Sequence, residues 1–156
     1  MANNLRYISG ITALMFVLIM TRLTGCTHNN GDIGPWYGAW TLTSVQIDGN
    51  TDPDYKPCTI IWKFQSTVIN MTEIGPVHEV KDYFGTWRQL SDTTLELNFT
   101  HSDNDRPSGT DLYVPAAATH LPAAVTVLQI KKFTSKHIVL TYTDPEGTVY
   151  TYFLDR

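Results

Sequence analysis

Two groups of side chains in this sequence are of types that carry chemistry: the thiols of Cys26 and Cys58, and a cluster of oxygen-bearing residues between positions 101 and 111. A thiolate is a nucleophile and a metal ligand, and clustered carboxylates can bind calcium. The cluster lacks the order of an EF-hand loop, because it has neither glycine at the sixth position nor glutamate at the twelfth. We therefore interpret it as a solvated loop.

Other catalytic or metal-binding patterns are missing from the sequence. It has no Gly-x-Ser-x-Gly motif, and the neighbouring carboxylates of Asp103 and Asp105 lie on a polar stretch instead of in an apolar pocket. None of the histidines beyond residue 36 lies at zinc-ligand spacing; they are His78, His101, His120 and His137. These features predict a protein without enzyme activity, cofactor or metal, although a triad assembled from distant residues stays open.

The first 25 residues have the composition of a segment that directs export. One positive charge, Arg6, precedes an apolar run over residues 8–20. This run is too short to span a bilayer, which needs about 20 residues, but it suits the core of a signal peptide. Alternatives are an N-terminal core helix ending at Gly25 and a signal peptide that is cleaved elsewhere.

The tetrapeptide Leu23-Thr24-Gly25-Cys26 directly follows and matches the lipobox of bacterial lipoproteins. In such signals the small residues enter a narrow peptidase cleft, and the cysteine thiol accepts a diacylglyceryl group. The resemblance implies that residues 1–25 are a lipoprotein signal peptide and that Cys26 carries the lipid. It also implies an exported protein anchored in the bacterial cell envelope, with the outer membrane as the expected location.

The rest of the chain is long enough for one domain. Residues 26–35 are small and polar, which is typical of a flexible tether, and residues 36–156 form the domain. Loss of Arg6 and Arg22 with the signal peptide takes the net charge from −4 to about −6, which argues against nucleic acid as a partner. Because a lipid on Cys26 leaves Cys58 without a disulfide partner, we expect Cys58 to be buried as a small apolar residue.

Short β-branched and aromatic runs separated by turn residues predict an all-β domain. The alternation of apolar residues changes phase near Thr43 and Ser44, which indicates a bulge in the first strand. Eight strands are predicted over residues 38–47, 58–64, 67–72, 78–89, 94–101, 124–133, 137–143 and 148–154.

The order of these strands predicts an antiparallel up-and-down meander. Closure of eight strands into a barrel removes the exposed edges and leaves an interior that can hold one small ligand. The stretch 102–123 is a candidate lid with one helical turn near residues 116–120, because connections of this length are usually functional or disordered.

The sequence Trp36-Tyr37-Gly38-Ala39-Trp40-Thr41-Leu42 resembles the start of the lipocalin-like domains in exported lipoproteins of the Bacteroidetes type. A second Gly-x-Trp at Gly85-Thr86-Trp87 resembles the middle of those domains, and the hairpin from Phe133 to the C-terminus resembles their end. The resemblance implies a lipocalin-like (calycin) barrel for residues 36–156.

In lipocalins the tryptophan of the first strand closes one end of the barrel, and a basic side chain after the last strand covers its ring. Trp40 and Arg156 match these two positions in this chain. The resemblance implies architectural roles for both, and for the two motif glycines and the second motif tryptophan, Gly38, Gly85 and Trp87. From the sequence we do not expect the helix that usually follows strand eight in lipocalins.

Six side chains are candidates to line a ligand cavity: Trp62, Phe64, Leu97, Phe99, Tyr142 and Tyr152. Lipocalin cavities are mostly apolar with a few polar groups. The alternative is that these side chains fill the core, because barrels of this size can be packed by their own aromatic residues.

We therefore expect a lipid-anchored, monomeric envelope protein that binds a small hydrophobic or amphipathic molecule without chemistry. The alternative is a filled barrel that acts through its surface as a structural protein, an inhibitor or a protein-partner module. Ligand binding would need an open cavity, whereas surface action would need an exposed apolar patch. The ligand-binding hypothesis depends on the family resemblance.

Overall fold

A computed structural model of the chain describes residues 31–101 and 113–156. The predicted signal peptide, Cys26 and the tether up to residue 30 lie outside these ranges, as do residues 102–112 of the long loop. Residues Asp32–Arg156 form one compact unit. Within the described ranges, no helix is both long and apolar enough to cross a membrane.

The described residues form strands and two short 3-10 helices, Gly31–Trp36 and Ala117–Thr119. All nine strands belong to one sheet, and they agree with the predicted all-β chain. They are β1 (Gly38–Ile47), β2 (Asn50–Thr51), β3 (Ile60–Gln65), β4 (Val68–Ile74), β5 (Val80–Ser91), β6 (Thr94–Asn98), β7 (Val125–Phe133), β8 (His137–Thr143) and β9 (Val149–Asp155).

The eight long strands form a closed antiparallel barrel, which confirms the predicted meander. From β3 to β9 each strand pairs with the next along the chain, and β1 pairs with both β3 and β9. The two-residue β2 is an addition that the sequence did not indicate, and it pairs only with the end of β1. Closure gives β1 and β9 a partner on each side, so neither is left as a free edge.

A bulge interrupts β1 where the apolar alternation changes phase. The register against β9 shifts between Leu42 and Ser44, and the hydroxyl of Thr43 donates to the Phe153 carbonyl at 3.0 Å. The extra residue brings Val45 to the same side as Trp40 and Leu42, so that all three are fully buried. This confirms the bulge predicted from the sequence.

We call the two ends of the barrel the closed end and the mouth. At the closed end, where β1 begins and β9 ends, an aromatic cluster fills the interior. Trp36 stacks on Phe133 with ring centroids 4.4 Å apart, and it lies 5.1 Å from Phe64 and 5.8 Å from Trp87. The opposite end, where β1 ends and β9 begins, is the mouth.

Gly85 is required by close packing between β5 and β6. A Cβ atom at this position would lie 2.7 Å from Cε1 of Phe99 and 2.8 Å from the carbonyl oxygen of Asn98. We expect Gly85→Ala to lower the free energy of unfolding by about 1–3 kcal/mol, because a packed backbone cannot move aside freely. Urea denaturation measures this change.

Gly75→Ala is the control for Gly85→Ala, because a Cβ atom at Gly75 has more space. The nearest atom to a Cβ there is Cβ of Glu79, at 3.4 Å. This substitution should change the stability by no more than about 1 kcal/mol. Equal effects of the two substitutions would contradict the close-packing explanation.

Cys58 is exposed, so the expectation that it is buried was wrong. Cys58 lies two residues before Ile60 and four before Trp62, so strand alternation predicts that it points inward as they do. However, strand pairing begins only at Ile60. Cys58 lies in the preceding turn with φ +63°, and its N–H donates to the carbonyl of Leu42. The turn therefore directs the side chain to solvent.

Candidate functional site

The mouth of the barrel is occupied by a segment of the long loop, residues 116–121, which we call the plug. Ala116 and Thr119 are fully buried, and Leu121 is almost so. The 3-10 turn Ala117–Thr119 confirms the helical turn predicted here, and His120 ends it in the left-handed conformation. The plug thus inserts small and apolar side chains among the mouth ends of the strands.

A buried hydrogen bond ties the plug to the barrel interior. The hydroxyl of Tyr152, on β9, donates to the carbonyl of Thr119 at 2.9 Å, and both residues are fully buried. Burial raises the pKa of the Tyr152 hydroxyl far above its usual value, so it is a neutral donor at any physiological pH. The ring of Tyr152 lies 5.6 Å from that of Trp62.

A second contact holds the plug at its rim. His120 Nε2 lies 2.8 Å from Oδ2 of Asp52, whose side chain is only 3% exposed. The His120 ring also stacks on Tyr150 at 5.3 Å, and Tyr150 stacks on Tyr142 at 6.0 Å. We call the Asp52–His120 pair the latch.

The latch alters the acidity of Asp52. Burial by itself raises the pKa of this carboxyl, but the hydrogen bonds that it accepts from the His120 ring and from the Asp54 N–H outweigh the effect of burial. The pKa of Asp52 is therefore below its ordinary value of 3.8. Asp52 is thus an ionised acceptor at neutral pH.

Three buried polar atoms have no hydrogen-bond partner among the described residues: Nε1 of Trp62, Nε1 of Trp87 and Oγ1 of Thr126. We call these atoms the orphaned groups. The strand register places Leu97 of β6 between Trp87 of β5 and Thr126 of β7, so the orphaned groups of Trp87 and Thr126 flank one apolar residue. Buried polar groups in native proteins are nearly always paired, so three such atoms in one small barrel need an explanation.

The structure divides the six predicted ligand-lining residues between the two ends. Phe64 belongs to the aromatic cluster of the closed end, and Phe99 packs over Gly85. Trp62 and Tyr152 contact each other below the plug, whereas Tyr142 is half-buried at the mouth. Leu97 is fully buried between the two orphaned groups.

Of the residues for which the family resemblance implies an architectural role, all except Gly85 lie at the closed end. The guanidinium carbon of Arg156 lies 4.4 Å from the centroid of the Trp40 ring, and its Nη2 donates to the Tyr37 carbonyl. Trp40 Nε1 donates to the Trp36 carbonyl at 2.9 Å. Gly38 has φ +119°, and a Cβ there would lie 2.6 Å from Nη2 of Arg156. The first Gly-x-Trp thus makes room for the arginine.

Replacement of Arg156 by methionine tests this contact. We expect the free energy of unfolding to fall by about 1–2 kcal/mol, since the substitution removes both the cation–π contact and the hydrogen bond to the Tyr37 carbonyl but keeps an apolar chain over the ring. Chemical denaturation at low and high salt measures the change. Arg88→Met, which breaks an exposed ion pair with Glu96 on the outer surface, is the control and should have a smaller effect. A larger effect of the control would contradict the expectation.

Sequence reasoning missed several residues of the mouth. Asp52 and His120 lie 68 positions apart in two loops, and no spacing connects them. Thr126 and Thr119 have ordinary polar side chains whose burial depends on closure of the barrel. Trp36 at the closed end had a signal, because it is a large aromatic residue four positions before the motif tryptophan.

Comparisons with known proteins bear on this arrangement. A family model described as a lipocalin-like domain matches residues 19–146. The chain is similar to the solved structure of a lipocalin-like protein from Bacteroides uniformis, with a TM-score of 0.54 and 15% identity, over 79% of this chain and 99% of that one. An uncharacterized protein from Bacteroides eggerthii is similar at a TM-score of 0.49 and 20% identity, over 78% and 99% of the two chains. No curated protein matches the chain.

Proposed function

The chain belongs to the family of lipocalin-like domains, and from this premise we propose that it binds a small hydrophobic or amphipathic molecule inside the barrel, below the plug. The protein acts as a carrier or receptor and performs no reaction on the molecule. It works in the bacterial cell envelope, held to the outer membrane by a lipid on Cys26.

The observation that carries this proposal is the set of orphaned polar atoms inside an apolar barrel. Trp62 is fully buried, and Thr126 is 3% exposed, yet neither side-chain polar atom has a partner among the described residues. Leaving such a group unpaired costs about 1–3 kcal/mol, so a binding partner for it recovers free energy. Apolar walls with a few polar groups are the usual composition of a small-molecule site.

The plug supplies the space that a ligand needs. Its buried side chains occupy the mouth, and they belong to a loop segment, whereas the walls belong to hydrogen-bonded strands. A segment held by two polar contacts and by a few small buried side chains can leave more readily than a strand, because a strand that leaves also loses a ladder of backbone hydrogen bonds. In this proposal the ligand enters when the plug withdraws and occupies the volume below it.

The anchoring part of the proposal is supported by sequence. The tetrapeptide Leu23-Thr24-Gly25-Cys26 matches the lipobox of bacterial lipoproteins and directly follows an apolar run of signal-peptide length. A diacylglyceryl group provides two acyl chains, and two chains are what stable membrane attachment requires.

The test of ligand binding uses a chain that begins at residue 27, which retains the whole compact unit Asp32–Arg156. Organic extracts of the purified protein are analysed by mass spectrometry, and the uncharged dye Nile red is titrated into the delipidated protein. We expect a co-purified molecule or a saturable, displaceable Nile red signal with one site per chain. An empty extract together with no saturable dye binding would overturn the proposal.

A second candidate function is action through the outer surface. Val125 and Val127 point outward from the same face of β7 and are 52% and 45% exposed, and neighbouring exposed apolar side chains can mark an interaction site. A partner protein could cover them. Replacement of both valines by threonine should leave Nile red binding unchanged but abolish binding of such a partner, which separates the two functions.

A further inference from the structure

The chemistry of the interior also limits the class of ligand. We infer that the ligand is an uncharged molecule with an apolar body that presents a hydrogen-bond acceptor, such as an ester carbonyl or an alcohol oxygen, to the walls below the plug. This inference rests on the proposed function and specifies its ligand.

The polar groups of the interior are mainly donors. The indole N–H of Trp62 and that of Trp87 can donate but not accept, and the hydroxyl of Thr126 can do both. Tyr152 donates its hydroxyl proton to the plug, and Trp62 lies against its ring. A ligand that satisfies these groups must therefore bring an acceptor.

The plug itself shows what kind of acceptor the interior accommodates. The group that Tyr152 binds is the backbone carbonyl of Thr119, a neutral oxygen, in a fully buried position. When the plug withdraws, the Tyr152 hydroxyl loses this partner. A ligand carbonyl or hydroxyl oxygen in the same place restores the hydrogen bond without introducing a charge.

Charges around the mouth disfavour an anionic ligand. Asp52 is the one buried residue with a formally charged side chain among the described residues, and its carboxylate is paired with His120. Glu73 is half-buried and accepts a hydrogen bond from Tyr83 at 2.8 Å. A carboxylate ligand would meet these two acids without a buried lysine or arginine to neutralise it in the described part of the barrel, and burial of an unpaired charge is very unfavourable.

Four ligands with the same ten-carbon chain test the inference: methyl decanoate, decan-1-ol, decanoate and decylamine. Each displaces Nile red from the chain that begins at residue 27, at pH 8 and below its critical micelle concentration. We expect the ester and the alcohol to bind at least tenfold more tightly than the carboxylate and the amine.

Other outcomes separate the inference from the proposed function. Equal or tighter binding of decanoate or decylamine would overturn the ligand class but leave ligand binding intact. Binding of none of the four, in a protein that also ignores Nile red, would overturn both. Saturable Nile red binding without displacement by any of the four would overturn the ligand class alone.

Two substitutions locate the site within the barrel. Trp62→Phe removes an indole N–H and keeps an aromatic ring, and Thr126→Val removes a hydroxyl at nearly constant volume. Each should weaken methyl decanoate binding about threefold to tenfold, as expected for loss of one hydrogen bond. Thr141→Val, on the outward face of β8, is the matched control and should not change the affinity.

Thr126→Val also separates a loss of ligand contact from a loss of folding. Removal of an unpaired buried hydroxyl should leave the stability of the empty protein unchanged or raise it, so a loss of affinity would not come from unfolding. Unchanged affinity in both interior variants would overturn the assignment of these donors to the ligand.

Discussion

Replacement of Cys26 by serine is expected to move the protein from the membrane fraction to the soluble fraction of the envelope. A serine hydroxyl is not a substrate for thiol alkylation, so the diacylglyceryl group has no site of attachment. Each buried methylene of an acyl chain contributes about 0.8 kcal/mol, so loss of two chains removes essentially all membrane affinity. Fractionation and labelling with radioactive palmitate measure the effect.

Cys58→Ser is the matched control for Cys26→Ser. Cys58 is the other thiol of the chain and is exposed, so it is available to a modifying enzyme in the folded protein. It follows Lys56 and Pro57, whereas the lipid attachment signal needs small residues before the cysteine. The control should stay in the membrane and retain the label. Label that persists in Cys26→Ser and disappears in Cys58→Ser would refute the assignment of the anchor.

The second large effect is expected from Asp52→Ala, which removes the latch. Loss of a buried, charged hydrogen bond costs about 1.5–3 kcal/mol, which corresponds to a roughly 10- to 100-fold larger fraction of molecules with the plug withdrawn. Amide hydrogen exchange of residues 116–121 should accelerate by that factor, and ligand association should accelerate with it. Exchange within the paired strands should change little.

Asp155→Ala distinguishes the latch from an ordinary ion pair. Asp155 lies 2.7 Å from His137, nearly the distance in the latch, but both side chains are about half exposed. Exposed pairs contribute little, so exchange of the plug should be unaffected. If the two aspartate variants accelerated exchange of the plug equally, the latch would not be what holds it.

The latch also gives the plug a defined dependence on pH. The pKa of Asp52 is lower in the folded protein than its ordinary 3.8, so the folded state binds the proton less readily than the unfolded chain. The contribution of Asp52 is therefore fully present above about pH 4 and is lost as the pH falls below it. The protection factors of the plug amides, which correct for the intrinsic pH dependence of exchange, should fall in that acidic range in the wild type and approach those of Asp52→Ala.

The strands were predictable because side-chain alternation reports directly which face of a strand is buried. The strand predicted over residues 137–143 is observed as His137–Thr143, and the change of phase near Thr43 marked the bulge in β1. Barrel closure was predicted from the eight-strand meander, because closure removes its exposed edges, and the family resemblance implied the same barrel. Cys58 was misjudged because its alternation continued past the end of the strand into a turn.

The mouth was much less predictable, since its geometry depends on contacts between distant loops. The sequence suggested a lid in residues 102–123, but not that Thr119 would accept a hydrogen bond from Tyr152 or that His120 would bind Asp52. Neither pair has a characteristic spacing, because hydrogen bonds between irregular segments produce no repeating pattern in the sequence. Orphaned groups such as Trp62 Nε1 become recognisable only when all neighbouring positions are known.

Closure of the barrel between its first and last strands has a consequence for the order of folding. Thr41 on β1 pairs with Asp155 on β9, at almost the full length of the domain along the chain. Barrels with such non-local pairings fold slowly, because a long loop must close, at a cost in chain entropy, before the stabilising contacts between its ends can form. The domain cannot complete its sheet before β9 has left the ribosome, so the closed barrel forms only after synthesis of the chain is nearly finished.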